Sequence, residues 1–103
     1  MIIWLASYPK SGNTLLRSIL SSYFFSHEGN FKFNNLYKIT QFPLAQDFSK
    51  LGINIDNEED VFKNFIKVQN TINENNKNVK FFKTHSSLCQ MYGSNFTDLK
   101  NTL

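Results

Sequence analysis

At 103 residues, with 41% hydrophobic and 16% aromatic side chains, the chain has apolar material for one small packed domain, which excludes disorder throughout. Cys89 is the only cysteine, so an intrachain disulfide and a disulfide-stapled secreted scaffold are excluded, and no nearby His or Cys gives it metal-ligand spacing. The net charge of +3 suits an anionic ligand, but the lysines are scattered rather than gathered into the dense basic stripe of a nucleic-acid binder.

Met1 leads directly into the apolar run at 2–6, Ile-Ile-Trp-Leu-Ala, whose β-branched and aromatic members predict a strand buried on both faces. No basic region precedes this run, and it is too short for a signal peptide or a membrane span, so the expected location is the cytoplasm. Tyr8-Pro9-Lys10-Ser11-Gly12-Asn13 then breaks the strand and permits a tight loop.

From Thr14, the spacing of Leu15, Leu16, Ile19, Leu20, Tyr23 and Phe24 predicts an amphipathic helix ending between Ser26 and Gly29. His27, near that end, is read as structural, because a cationic ring is favoured by the helix dipole there. Residues 30–55 show no sustained period apart from a short turn around 42–51 and are expected to form an irregular connection. Asp56 or Asn57 can cap a further helix, with Glu58, Glu59 and Asp60 in its first turn and Val61, Phe62, Phe65, Ile66, Gln69 and Ile72 along one face. Residues 79–84 predict a second strand. The order implies an α/β domain with a partial parallel sheet and flanking helices.

The loop at 8–14 is the sharpest chemical feature. Backbone N–H groups at a helix start lack intrahelical partners and the dipole there favours negative charge, so a strand-to-helix turn can cradle phosphate or sulfate. Gly12 allows close approach, Ser11, Asn13 and Thr14 add short polar groups, and Lys10 adds a full positive charge. An isolated Ser-Gly-Asn is most often an ordinary surface turn; here it stands inside a longer string in a strand-to-helix setting. The nucleotide P-loop has Lys-Ser/Thr directly after its second glycine, whereas this lysine precedes the loop's only glycine by two residues.

Ser7-Tyr8-Pro9-Lys10-Ser11-Gly12-Asn13-Thr14, with Leu16-Arg17, resembles the phosphosulfate loop of sulfotransferases that use 3′-phosphoadenosine 5′-phosphosulfate, and Phe81-Phe82-Lys83-Thr84-His85-Ser86 resembles that family's second signature. The resemblance implies a P-loop-NTPase-like sulfotransferase fold, donor binding by Lys10, Ser11, Gly12, Asn13 and Thr14, and no metal. It further implies that Lys10 stabilises charge on the bridging oxygen, that His85 is the catalytic base, and that Lys83 is a supporting cation. Leu15 stands where the family usually has a Trp that sandwiches adenine, so this chain departs from the pattern in adenine recognition.

The resemblance runs from Ile2 to about Ser87 of a family more than twice this length, which implies that residues 1–103 are the N-terminal, truncated part of a single sulfotransferase domain. The Arg and Ser that hold the donor's 3′-phosphate are absent, so the isolated chain is expected to be inactive, marginally stable and prone to self-association through uncovered apolar surface. The acceptor, a hydroxyl or amine on a small molecule, carbohydrate or lipid, is not specified by these residues. Two other readings stay open: a kinase-like nucleotide-binding protein, and a non-catalytic anion-binding or interaction module.

Overall fold

The computed structural model describes residues 1–8, 12–75, 78–86 and 90–102. The opening apolar run forms β1 (Ile2–Ala6), and α1 (Asn13–Phe25) follows the loop. Gly12 caps α1 in the left-handed region at φ 87°, where a side chain would be strained, although an added Cβ would meet no atom of the described residues within 4 Å. The helix ends where Ser26 becomes extended, within the range expected from the sequence.

The stretch expected to be irregular holds three short elements: α2 (Phe33–Leu36), β2 (Thr40–Gln41) and α3 (Ala45–Ser49). None is long enough to set up a period that the sequence displays. The single helix expected after Asn57 is divided into α4 (Glu58–Lys63) and α5 (Phe65–Asn75). Its cap is as expected: Asn57 Oδ1 accepts the Asp60 N–H at 3.3 Å, and the three acidic residues occupy the first turn. The break falls at Asn64, whose side chain donates to the Asp60 carbonyl at 2.7 Å. Phe62 and Phe65, on either side of the break, stack at 4.5 Å and are both buried.

The second apolar strand of the sequence is β3 (Lys80–Thr84), followed by a hairpin of β4 (Gln90–Met91) and β5 (Ser94–Asn95). Tyr92 and Gly93 form its turn with positive φ at both positions, the geometry that suits a two-residue hairpin. In place of two strands, the main sheet has three, in the order β1-β3-β2, all parallel. Helices lie on both of its faces, an α/β arrangement. Among the described residues, no helix is long and apolar enough to cross a membrane.

Register assigns the faces. Ile2, Trp4 and Ala6 pair with Lys80, Phe82 and Thr84, and partners in a parallel ladder share a side. The side bearing Ile2 and Phe82 meets Phe42, Phe48, Phe62, Phe65, Val68 and Phe96 in one aromatic core, with Trp4 packed against it. Phe42 is central, its ring 5.3 to 6.2 Å from those of Trp4, Phe48, Phe65, Phe82 and Phe96.

The opposite side carries Leu5 and Phe81 and is covered by α1, whose Phe24 ring lies 5.1 Å from Phe81. Here the amphipathic pattern misleads. The buried residues of α1 are Asn13 and Ser21, while Leu15 is 68%, Ile19 58% and Tyr23 78% exposed. The apolar stripe faces solvent because polar anchors, described below, hold the other side of the helix to the sheet.

A directed hydrogen-bond chain fastens residues 96–102. Trp4 Nε1–H donates to Thr102 Oγ1 at 3.1 Å, and Thr97 Oγ1 donates to Gln69 Oε1 at 2.7 Å. The Thr97–Thr102 contact of 2.8 Å therefore runs from Thr102 to Thr97, since the Thr97 proton is already committed. Gln69, fully buried, completes the chain by donating to the Phe96 carbonyl at 2.7 Å. Through it Thr102 bridges Ile2 in parallel on the side of β1 away from β3. Phe42→Ala is expected to cost about 3 to 5 kcal/mol, a large part of a small domain's stability. Urea unfolding followed by circular dichroism measures it, and a loss below about 1 kcal/mol would contradict Phe42 as the centre of the core.

Candidate functional site

Parallel pairing sets the geometry of the site. Because β1 and β3 run in the same direction, their C-terminal ends reach the same edge of the sheet, where Ala6 pairs with Thr84 and the Ser7 N–H donates to the Thr84 carbonyl at 3.1 Å. The loop after β1 and the His85 segment after β3 therefore emerge side by side. His85 Nδ1 lies 2.7 Å from the Ser7 carbonyl oxygen.

That contact fixes the imidazole. A carbonyl oxygen only accepts, so Nδ1 carries the hydrogen and the neutral ring presents a bare Nε2. His85 is exposed, and with Ala6, Ser7, Tyr8 and Ser86 it lines a cavity of about 280 Å³ at the sheet edge. Thr84 is fully buried beneath, and its Oγ1 accepts the Ser86 N–H at 3.1 Å, which shapes the turn after the strand.

The start of α1 is held beside the end of β1. The first intrahelical bond runs from the Leu16 N–H to the Gly12 carbonyl at 3.2 Å, so the N–H groups of Asn13, Thr14 and Leu15 lie ahead of the helical ladder. Asn13 is buried, and its Nδ2 donates to the Leu5 carbonyl at 3.1 Å and to Ser7 Oγ at 2.9 Å. It clamps the helix start to the strand end, while its Oδ1 is buried with no hydrogen-bond partner among the described residues. One turn on, Arg17 Nη2 donates to the carbonyls of Leu36 at 3.3 Å and Ile39 at 2.7 Å, tying α1 to the approach to β2. Burial pushes the Arg17 guanidinium below its ordinary pKa.

Of the residues singled out in the sequence, His85 and Asn13 meet at Ser7, with Gly12 as the cap of α1 and Thr14 exposed in its first turn. Lys83 is half-buried and pairs with Leu5, on the side of the sheet that α1 covers. Lys10 and Ser11, the proposed donor-loop cation and hydroxyl, lie outside the described residues, as does Cys89. Among the described residues, no three His, Cys, Asp or Glu side chains are grouped to hold a metal ion.

Ser7 opens the string singled out in the sequence, but the sequence assigned it no role of its own. It joins both halves of the site, through its carbonyl to His85 and its hydroxyl to Asn13. A contact made by a main-chain carbonyl leaves no mark on residue type; the placement of Ser7 at the strand end, one residue past the apolar run, was the available signal. A larger apolar groove of about 710 Å³, lined by Trp4, Phe96 and Leu99 among others, adjoins the site through Ala6 and Ser86.

No family model, curated protein or solved structure matches this chain. Its function is read from these residues and their arrangement. Long-range proton–nitrogen correlation spectra of the neutral imidazole of His85 are expected to show a protonated Nδ1 and a pyridine-like Nε2. The reverse tautomer would contradict the bond to Ser7.

Proposed function

We propose that residues 1–103 are the donor-binding part of a sulfotransferase domain, in which a sulfuryl group passes from 3′-phosphoadenosine 5′-phosphosulfate to a hydroxyl or amine acceptor in a longer protein. The observation that carries this reading is the meeting of two separated motifs: His85, 78 residues along the chain from Ser7, bonds the residue that opens the donor-loop string. The P-loop-like sulfotransferase fold is part of the same proposal. It is supported by the parallel order β1-β3-β2 with Thr102 on the other flank of β1, since ligands of such sheets bind at the carboxyl ends of strands where connections diverge.

The residues present suit the donor's anionic end. Three N–H groups lie ahead of the helical ladder, at the positive end of a 13-residue helix that follows Lys10 and Ser11 in the sequence. When bound, the donor supplies an activated sulfuryl group on a phosphate leaving group. His85 Nε2, left bare by the Nδ1 bond, takes the proton of the attacking hydroxyl as the new O–S bond forms. Lys10 stabilises the negative charge that collects on the bridging oxygen as the old S–O bond breaks and its electron pair stays with phosphate. Lys83, two residues before the base, contributes a second positive charge near the transferring group.

A kinase-like phosphate-binding protein would prefer ATP, so competition between ligands discriminates. Calorimetric titration of the complete protein is expected to show tighter binding of adenosine 3′,5′-bisphosphate than of ATP, with Lys10→Ala weakening the former on the order of 10-fold or more. A preference for ATP would overturn the reading. In the complete protein, Lys10→Ala is expected to lower the rate of transfer from a labelled donor on the order of 100-fold, equivalent to about 3 kcal/mol. Unchanged turnover would remove Lys10 from the chemistry.

A further inference from the structure

The solvent side of α1 carries Leu15, Leu16, Ile19 and Tyr23, spaced so that they form one stripe along the helix. The segment after the helix extends this surface. Ile19 and Tyr23 share a shallow cavity of about 420 Å³ with Gly29 and Phe31, and the Phe31 ring packs edge-on against Phe33, itself 72% exposed. Contiguous exposed aromatic and aliphatic side chains on this scale mark an interaction surface.

Charge identifies what the surface meets. Residues 1–46 carry the whole +3 of the chain, with four basic residues and one acidic residue, Glu28; of these cations Lys32 and Lys38 belong to the exposed segment beside the stripe, whereas Arg17 is turned inward to the carbonyls of Leu36 and Ile39. No carboxylate occurs on α1. Lys32 stands between Phe31 and Phe33, and the Lys38 ammonium lies 5.1 Å above the ring of Phe25, at the end of α1. A two-fold contact through this face would bring Lys32 and Lys38 of both copies together, which is unfavourable, whereas an anionic surface attracts them. Lysines beside exposed Phe, Tyr, Leu and Ile suit a lipid interface, where apolar side chains enter the headgroup boundary and ammonium groups stay with lipid phosphates.

We propose that the face formed by α1 and residues 31–38 docks on an anionic lipid surface, with α1 lying in the plane of the interface. This rests on the exposed face and its charge alone and is independent of sulfuryl transfer.

Co-sedimentation of the full chain with vesicles tests it. Partitioning onto phosphatidylcholine mixed with phosphatidylglycerol is expected to exceed that onto phosphatidylcholine alone on the order of 10-fold, and to fall as salt is raised. The double variant K32Q/K38Q is expected to lower it on the order of 10-fold, to the level on phosphatidylcholine alone. Ile19→Glu, at an exposed position, should lower it as well, whereas Lys63→Gln on α4 should leave it unchanged. Circular dichroism checks that each variant is folded, and the lysine variant carries the test alone if Ile19→Glu is not. Equal binding to both vesicle types, or binding indifferent to the lysine variant, overturns the proposal. So does a chain that stays in the supernatant with either vesicle while sedimentation velocity shows a dimer broken by Ile19→Glu, a result that assigns the face to a second copy.

Discussion

The parallel pairing of β1 with β3 is the constraint from which the rest of the site follows. Residues 7 and 85 are far apart in the chain, and only a ladder in register from Ile2↔Lys80 to Ala6↔Thr84 delivers both to one edge. An antiparallel pairing of the same strands would send the loop after β1 and the imidazole to opposite ends of the sheet. The ladder is itself held by the aromatic core beneath it, in which Phe82 packs near Trp4 and Phe42. Core packing thus acts on the site through register rather than through direct contact.

The two faces of the sheet are held by different forces. On the side of Ile2 and Phe82, buried rings from α3, α4 and α5 exclude water and supply the hydrophobic stabilisation. On the α1 side, much of the attachment is polar: Asn13 to Leu5 and Ser7, and Arg17 to Leu36 and Ile39. Such bonds contribute modestly to stability, but they are directional, and an amide that reaches both a strand carbonyl and a serine hydroxyl sets the angle at which the helix start meets the strand end.

Much of this was legible from residue pattern. The run at 2–6, the cap at Asn57 with its acidic first turn, and the strand ending at Thr84 are each backed by a local signal strong enough to survive tertiary packing. What was not legible has physical reasons. β2 and the β4–β5 hairpin are two-residue strands, too short for a period of two to repeat, and they exist because longer partners or a left-handed turn impose them. Asn64 divides one amphipathic stretch into two helices without a Gly or Pro to announce it. At the site, the types of His85 and Asn13 advertised polar chemistry, but the bond that orients the imidazole ends on a carbonyl that any residue at position 7 would offer.

The inverted helix draws these points together. A helix whose sole task was to close a core would turn Leu15, Ile19 and Tyr23 inward, and the sequence period invites that reading. Doing so would rotate Asn13 and Arg17 away from Leu5, Ser7 and the carbonyls before β2, and the first-turn N–H groups would lose their fixed relation to the end of β1. Holding the polar stripe against the sheet keeps the helix start beside Ser7 and His85, and leaves the apolar stripe facing outward on the half of the chain that carries all of the net positive charge. The anchoring that aligns the helix start with the end of β1 and the exposure that creates an apolar outer face are therefore two consequences of a single rotation of α1 about its axis.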